Sequence, residues 1–302
     1  MRIFEAMKKL FLSTFIVLTS FVSAAGIRAA DFSRADRLFS VEGKYSECLT
    51  ELEGLLAGVS APGEKAAVLW RISRVCVVMG QSATDRDSQL AMYRKGIEAG
   101  EKAIAADPAN ADCYMWHCAN VGRDCQLRSL KDQMAALPAM TGDLEKILNG
   151  LGRTDCSAAW QALAEIYYNH PFKSNDTAIN FMRQAVLTIP AGELRLSTWG
   201  FFAKLLSERN WKASKRASEA ASHAGPFKSG YKNNIDRYSR LDGRFGPSDK
   251  APWTSAPLWS MSDREEALAV ISYAMALYGK SSRKQPGAAQ EYKELEKLKT
   301  KL

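Results

Sequence analysis

Cys113, His117, Cys118 and Cys125 are the nearest approach to a metal-binding pattern in this 302-residue chain. Cys113 and His117 stand i, i+4 on an expected helix and share a face, the arrangement a zinc-type ion requires. Cys118 falls where packed helices need a small side chain at their crossing, so it reads as a packed thiol and the set loses its third ligand. Neither a metal nor a cofactor is expected. Gly225-x4-Gly230 has part of the spacing of a phosphate loop, but Tyr231 stands where lysine is required and no strand precedes it. His170 and His223 sit beside expected helix ends, where histidine interacts with terminal carbonyls. Neither has a nucleophile and an orienting carboxylate nearby in sequence. The chain carries no metalloprotease histidine pair, nucleophile elbow or dinucleotide fingerprint, so no catalytic residue is assigned and an enzyme is not expected.

The elements that would position these residues begin after the first thirty. "MRIFEAMKKLFLSTFIVLTSFVSAAGIRAA" opens with Arg2, Lys8 and Lys9, runs apolar from Leu10 to Val22, and closes on small residues at Ala24 and again at Ala29-Ala30. That is the pattern of a secretory signal peptide over 1–30, cleaved after Ala24 or Ala30, with Met7 as an alternative start. The apolar run is shorter than the roughly 20 residues that span a bilayer. No cysteine stands at the cleavage site, so the expectation is an exported, periplasmic protein without a stable membrane anchor.

Composition points the same way. At 46% hydrophobic and 25% charged the chain can bury a sizeable core. Of its formal charge of +8, the leader carries Arg2, Lys8, Lys9 and Arg28 against Glu5, leaving about +5 that is not concentrated in one segment. A nucleic-acid partner is therefore not expected. Export would permit disulfides among Cys48, Cys76, Cys113, Cys118, Cys125 and Cys156, yet their wide spacing reads as small core residues, with Cys125 to Cys156 as the one bridge to look for.

Helical periodicity dominates the rest, and it recurs. Ala35, Leu38 and Phe39 share a face before a break at Gly43-Lys44-Tyr45, after which Cys48, Leu49, Leu52, Leu55 and Leu56 resume it. Leu69, Trp70, Ile72 and Val75 form the first helix of a second hairpin, and Tyr93, Gly96, Ile97, Gly100, Ala103 and Ile104 form its partner. Trp160-x2-Leu163-Ala164-x2-Tyr167 and Trp199-x2-Phe202-Ala203-x2-Leu206 repeat one motif about 39 residues apart, against about 34 in the tetratricopeptide repeat. The small residue allows two helices to approach, and the large ones fill the groove between neighbours. Second helices ending at Pro108, Pro190 and Pro226 complete the pattern, with Ala213, Ala217 and Ala220 assigned to the last.

These residues carry a family resemblance. The chain resembles tetratricopeptide-repeat (TPR) proteins over about 32–226. "LWRISRV" at 69–75, Asp107-Pro108 followed by Trp116, and "DLEKIL" at 143–148 resemble the branch shared by regulator-of-microtubule-dynamics proteins and bacterial TRAP-transporter-associated TPR proteins. In the bacterial members the resemblance implies a periplasmic, oligomeric scaffold that docks a solute-binding protein of a transporter. The known type is a lipoprotein, whose lipid-bearing cysteine this chain lacks. A microtubule role implies a cytosolic setting, against which the signal peptide speaks.

The expected architecture is thus all-α: a superhelix of TPR-like hairpins over 31–226, an irregular aromatic-rich segment over 227–260, and C-terminal helices over 261–302. Ser262-x2-Glu265 marks a capping box, and the helix it opens should end at Gly279. First-helix residues pointing from the core would line a groove for a protein partner, with a homo-oligomer as a further option: Arg71, Arg74, Arg123, Gln161, Glu165, Tyr168 and Lys204. The aromatics of 227–260 are expected to cover the exposed end of the helical stack; the competing expectation is a small-ligand protein with 227–260 as lid, closing through Trp253 and Trp259.

Overall fold

The computed structural model describes residues 31–170, 173–282 and 284–302. The leader expected over 1–30 lies outside the described residues. The described chain is all-α, with no strand, and forms two compact units, 31–153 and Thr154–Leu302.

The first unit opens with α1 (Ser33–Arg37), which runs into a π-helical turn (Leu38–Glu42), followed by α2 (Tyr45–Gly58), α3 (Pro62–Ser82), α4 (Arg86–Ala106), α5 (Ala111–Gln126) and α6 (Leu130–Glu145). Short polar side chains set the starts: Asp85 accepts from Ser88 N, Asn110 from Asp112 N, and Ser129 forms a capping box with Asp132. α3 pairs with α4, α5 lies against both, and α6 packs on α5. The Gly96 and Gly100 pair makes this close approach possible. A Cβ at Gly96 would lie 2.1 Å from the Asn120 side chain, and one at Gly100 would lie 2.8 Å from His117 Cβ. Asn120 fills the crossing, donating to Ser73 O at 2.9 Å and Ser73 Oγ at 3.0 Å, while Ser73 Oγ donates to Gly96 O at 2.8 Å. A buried polar group is tolerated where it is hydrogen-bonded in this way.

The second unit contains α7 (Ser157–Asn169), α8 (Asn175–Leu187), α9 (Leu196–Arg209), α10 (Ala213–Lys228), the short α11 (Asn234–Tyr238), 3-10 turns at Leu241–Arg244 and Leu258–Ser260, α12 (Asp263–Lys280) and α13 (Ala288–Lys301). α7 and α8 pair as expected, with Ala164 and Ala203 fully buried where helices approach. Trp160 packs on Phe181 and Tyr238 at ring distances of 5.4 and 4.9 Å.

The partner of α9 differs from the sequence expectation. α9 packs along α8 and α12, whereas α10 lies against the two 3-10 turns. The reason is chemical: only Arg216, Ala220 and Phe227 of α10 are buried, while α12 presents Ala267, Val270, Ile271 and Ala274 as a continuous apolar stripe. Pro226 does not end α10, which continues to Lys228, because proline in the last turn removes a single donor. The capping box at Ser262 and Glu265 forms as expected.

The disulfide expectation is also corrected. The six cysteines carry thiols, and no bond joins Cys125 to Cys156. Cys48, Cys118 and Cys125 instead turn their sulfurs toward the carbonyls of Ala35, Met140 and Gly122. They behave as small buried core residues.

Candidate partner-binding face

In the first unit, Arg71 and Arg74 stand on α3 and converge on Asp36 of α1. Arg71 Nε and Nη2 donate to the carboxylate at 3.2 and 3.1 Å, and Arg74 Nη2 donates at 2.7 Å. Arg71 lies 4.0 Å from the Phe32 ring and 4.2 Å from Trp70; Arg74 lies 4.0 Å from Phe39. Burial acts to raise the Asp36 carboxyl, but the two guanidiniums outweigh it and hold it below the usual range. Both arginines, expected on an open groove, therefore clasp α1 to α3 instead. Asp112 on α5 lies in the same field: burial pushes its carboxyl up against the pull of Arg74, Arg71 and Arg153. Arg123 donates to Gln126 Oε1 at 3.2 Å, one turn on along α5.

Around Cys113, the neighbouring Cys118 and Cys125 are buried in the packing and His117 is engaged by a carboxylate. His117 Nδ1 is 2.6 Å from Asp143 Oδ2 on α6, and among the described residues no three metal-ligating side chains converge. His223 lies within α10, not at its end, and pairs with Asp242 Oδ1 at 2.8 Å and Glu219 at 3.7 Å. These two carboxylates raise its pKa; the hydrogen bond to Asp242 is the larger cause.

In the second unit, Gln161 and Glu165 are buried beneath the surface and not presented to a partner. Thr198 Oγ1 of α9 donates to Gln161 Oε1 at 2.7 Å, and Gln161 Nε2 donates to Glu165 Oε1 at 2.9 Å. This seam fixes the register of α7 against α9. Tyr168 and Lys204, one on each helix, meet above it. Tyr168 OH donates to Glu208 Oε2 at 2.6 Å, Lys204 Nζ sits 5.0 Å from the Tyr168 ring centre and 3.7 Å from Glu208, and Phe201 meets the same ring edge-on at 5.7 Å. Burial and Glu208 raise the Tyr168 hydroxyl, which stays protonated and donating. Lys204 and Glu208 are about two-fifths exposed. An aromatic ring flanked by both charges can hold a polar or aromatic group of a protein partner.

Trp253 and Trp259, expected in a lid, are interior residues. Trp253 Nε1 donates to Glu266 Oε1 at 3.2 Å, and Trp259 Nε1 donates to Phe245 O at 3.0 Å. They roof a buried ionic cluster that no sequence motif marks. Arg209 grips Asp263 through Nε and Nη2 at 2.8 and 2.7 Å. Arg216 bridges Asp263, at 3.0 Å from Nε, and Glu266; Arg183 reaches Glu266 Oε2 at 2.9 Å. The Arg183 and Arg216 guanidiniums also lie 5.6 and 5.3 Å from the Trp259 ring. The one available signal was positional: Asp263 and Glu266 occur on the apolar stripe of α12, and Arg183 occurs between Met182 and Val186 of α8. Segment 227–260 is thus a folded cover with its tryptophans built into the core.

Among the described residues no helix is long and apolar enough to cross a membrane. No curated protein matches the chain. The family model of regulator of microtubule dynamics protein 1-3 matches residues 31–148, a span that closes just before the first unit ends at Arg153, and the chain is similar to that family over this unit.

Proposed function

We propose that this protein is a non-catalytic helical scaffold that binds a protein partner, with its hairpins serving as TPR-type repeats. The observation that carries the reading is the Tyr168, Lys204 and Glu208 cluster, a half-buried aromatic ring beside two partly exposed charges above the buried Gln161, Glu165 and Thr198 seam. The family similarity over 31–148 supports an interaction role for the first unit as well. With the leader pattern at 1–30 and the resemblance to TRAP-transporter-associated proteins, the reading extends to an exported scaffold in a periplasmic solute-uptake assembly. Its partner there is a solute-binding protein.

The test is a crosslinking pull-down of the full chain from its own periplasmic extract. Stoichiometric recovery of a solute-binding protein, lost with Lys204→Glu, supports the reading. Recovery of the bait alone removes the uptake role. Lys204 suits this test because its substitution leaves the core untouched; Arg71→Glu does not, since it would set a carboxylate against Asp36.

A further inference from the structure

Helix α13 is held in the manner of a docked ligand. Of its residues, Ala288 and Leu295 are buried, Glu291, Tyr292 and Leu298 are partly covered, and the remaining residues of the helix are exposed. This i, i+3, i+4, i+7, i+10 set is the anchor pattern by which an amphipathic helix enters a groove. The groove belongs to α9 and α12.

Each anchor meets a complementary feature. α9 begins after Arg195, which holds a left-handed backbone at φ 40° and whose side chain has no acceptor to cap the helix. Glu291 comes from 94 residues away to accept from Ser197 N in that first turn at 3.3 Å. A carboxylate is the favoured group at this position. Leu295 sits over Gly200, where an added Cβ would lie 3.0 Å from Leu295 Cδ2, and Tyr292 stacks on Tyr278 of α12 at 4.6 Å.

We propose that the α9–α12 groove is a recognition site for a helix with the anchors Ala-x2-Glu-Tyr-x2-Leu, and that the 288–301 helix of a second copy occupies it when the resident helix leaves. The second copy is the occupant because its helix carries the identical anchors and brings the same carboxylate to the Ser197 amide. Segment 281–287 can span at most about 25 Å, so in cis the resident competes at an effective concentration on the order of millimolar. Exchange between copies is the low-barrier route to a dimer that reuses native contacts.

The experiment uses the full chain and a fluorescein-labelled peptide spanning 285–302. The Glu291→Gln/Leu295→Ala chain, with its resident helix weakened, should bind the wild-type peptide saturably, and the wild-type chain should bind it at least about tenfold more weakly. Failure of the double variant to bind, or equal binding of a peptide carrying the same two substitutions, overturns the proposal. Sedimentation should show wild-type dimers that increase with concentration; a monomer at every concentration overturns the second-copy assignment. Should the double variant not fold, amide exchange in the wild-type chain decides. Faster exchange in α13 than in α9 and α12 supports release, and equal protection of all three helices overturns it.

Discussion

Asp36 and Arg71, 35 residues apart in sequence, form a two-pronged ion pair at 3.1–3.3 Å that joins the first helix of the described chain to α3. Arg74, almost fully buried, depends on the same carboxylate for its charge balance. This makes the pair a structural clasp, and it changes what substitution there should do.

Asp36→Asn should destabilise the first unit by about 3 kcal/mol, because removing one partner of a buried pair strands the other. The stability Asp36 contributes is present above its unfolded pKa of 3.8 and is lost as pH falls through its lower folded value. Urea unfolding of the variant and wild type at neutral pH measures the loss; equal midpoints would sink the clasp.

Glu266→Gln should cost about 3–5 kcal/mol, since one carboxylate serves Arg183, Arg216 and Trp253. Near-ultraviolet circular dichroism, sensitive to Trp253 and Trp259, should change along with the unfolding midpoint. Retention of both signals would show that the cluster does not organise the cover.

His223 gives the second unit a pH dependence of definite sign. Its pKa is raised in the fold by Asp242, then by Glu219, against burial and Arg240. The stabilisation is therefore complete below the unfolded value of 6.5 and is lost as pH rises through the higher folded value. The melting midpoint should fall across this window in the wild type and stay flatter in His223→Gln. A parallel pH response in the two proteins would contradict the assignment.

The thiols should be slow to react in the native state. Burial pushes Cys48 and Cys125 up to about 11 and Cys76 and Cys113 up to about 12, so little thiolate is present at neutral pH. Ellman's reagent should modify these four only after denaturation, and reductant should leave the melting midpoint unchanged. Rapid native labelling of all four, or a midpoint lowered by reductant, would overturn this.

What the sequence by itself determined was the local layer. The 3.6-residue periodicity, the capping box at Ser262 and Glu265, and the Trp160 and Trp199 motifs place helices that occur in the structure, because propensity, capping and amphipathicity act over neighbouring residues. Cys118 as a packed thiol was legible for the same reason. The tertiary structure alone decided partnership. α12 carries the apolar stripe that α10 lacks, yet only the tertiary fold brings that stripe, from further along the chain, against α9 in place of the helix that follows it in sequence. Arg71 and Arg74 read as groove residues until Asp36 arrived from another helix, and for Trp253 and Trp259 the choice between cover and lid was made only when Glu266 and the Phe245 carbonyl took their N–H groups. Charge pairing and burial depend on distance in space, and sequence separation carries almost no information about that distance.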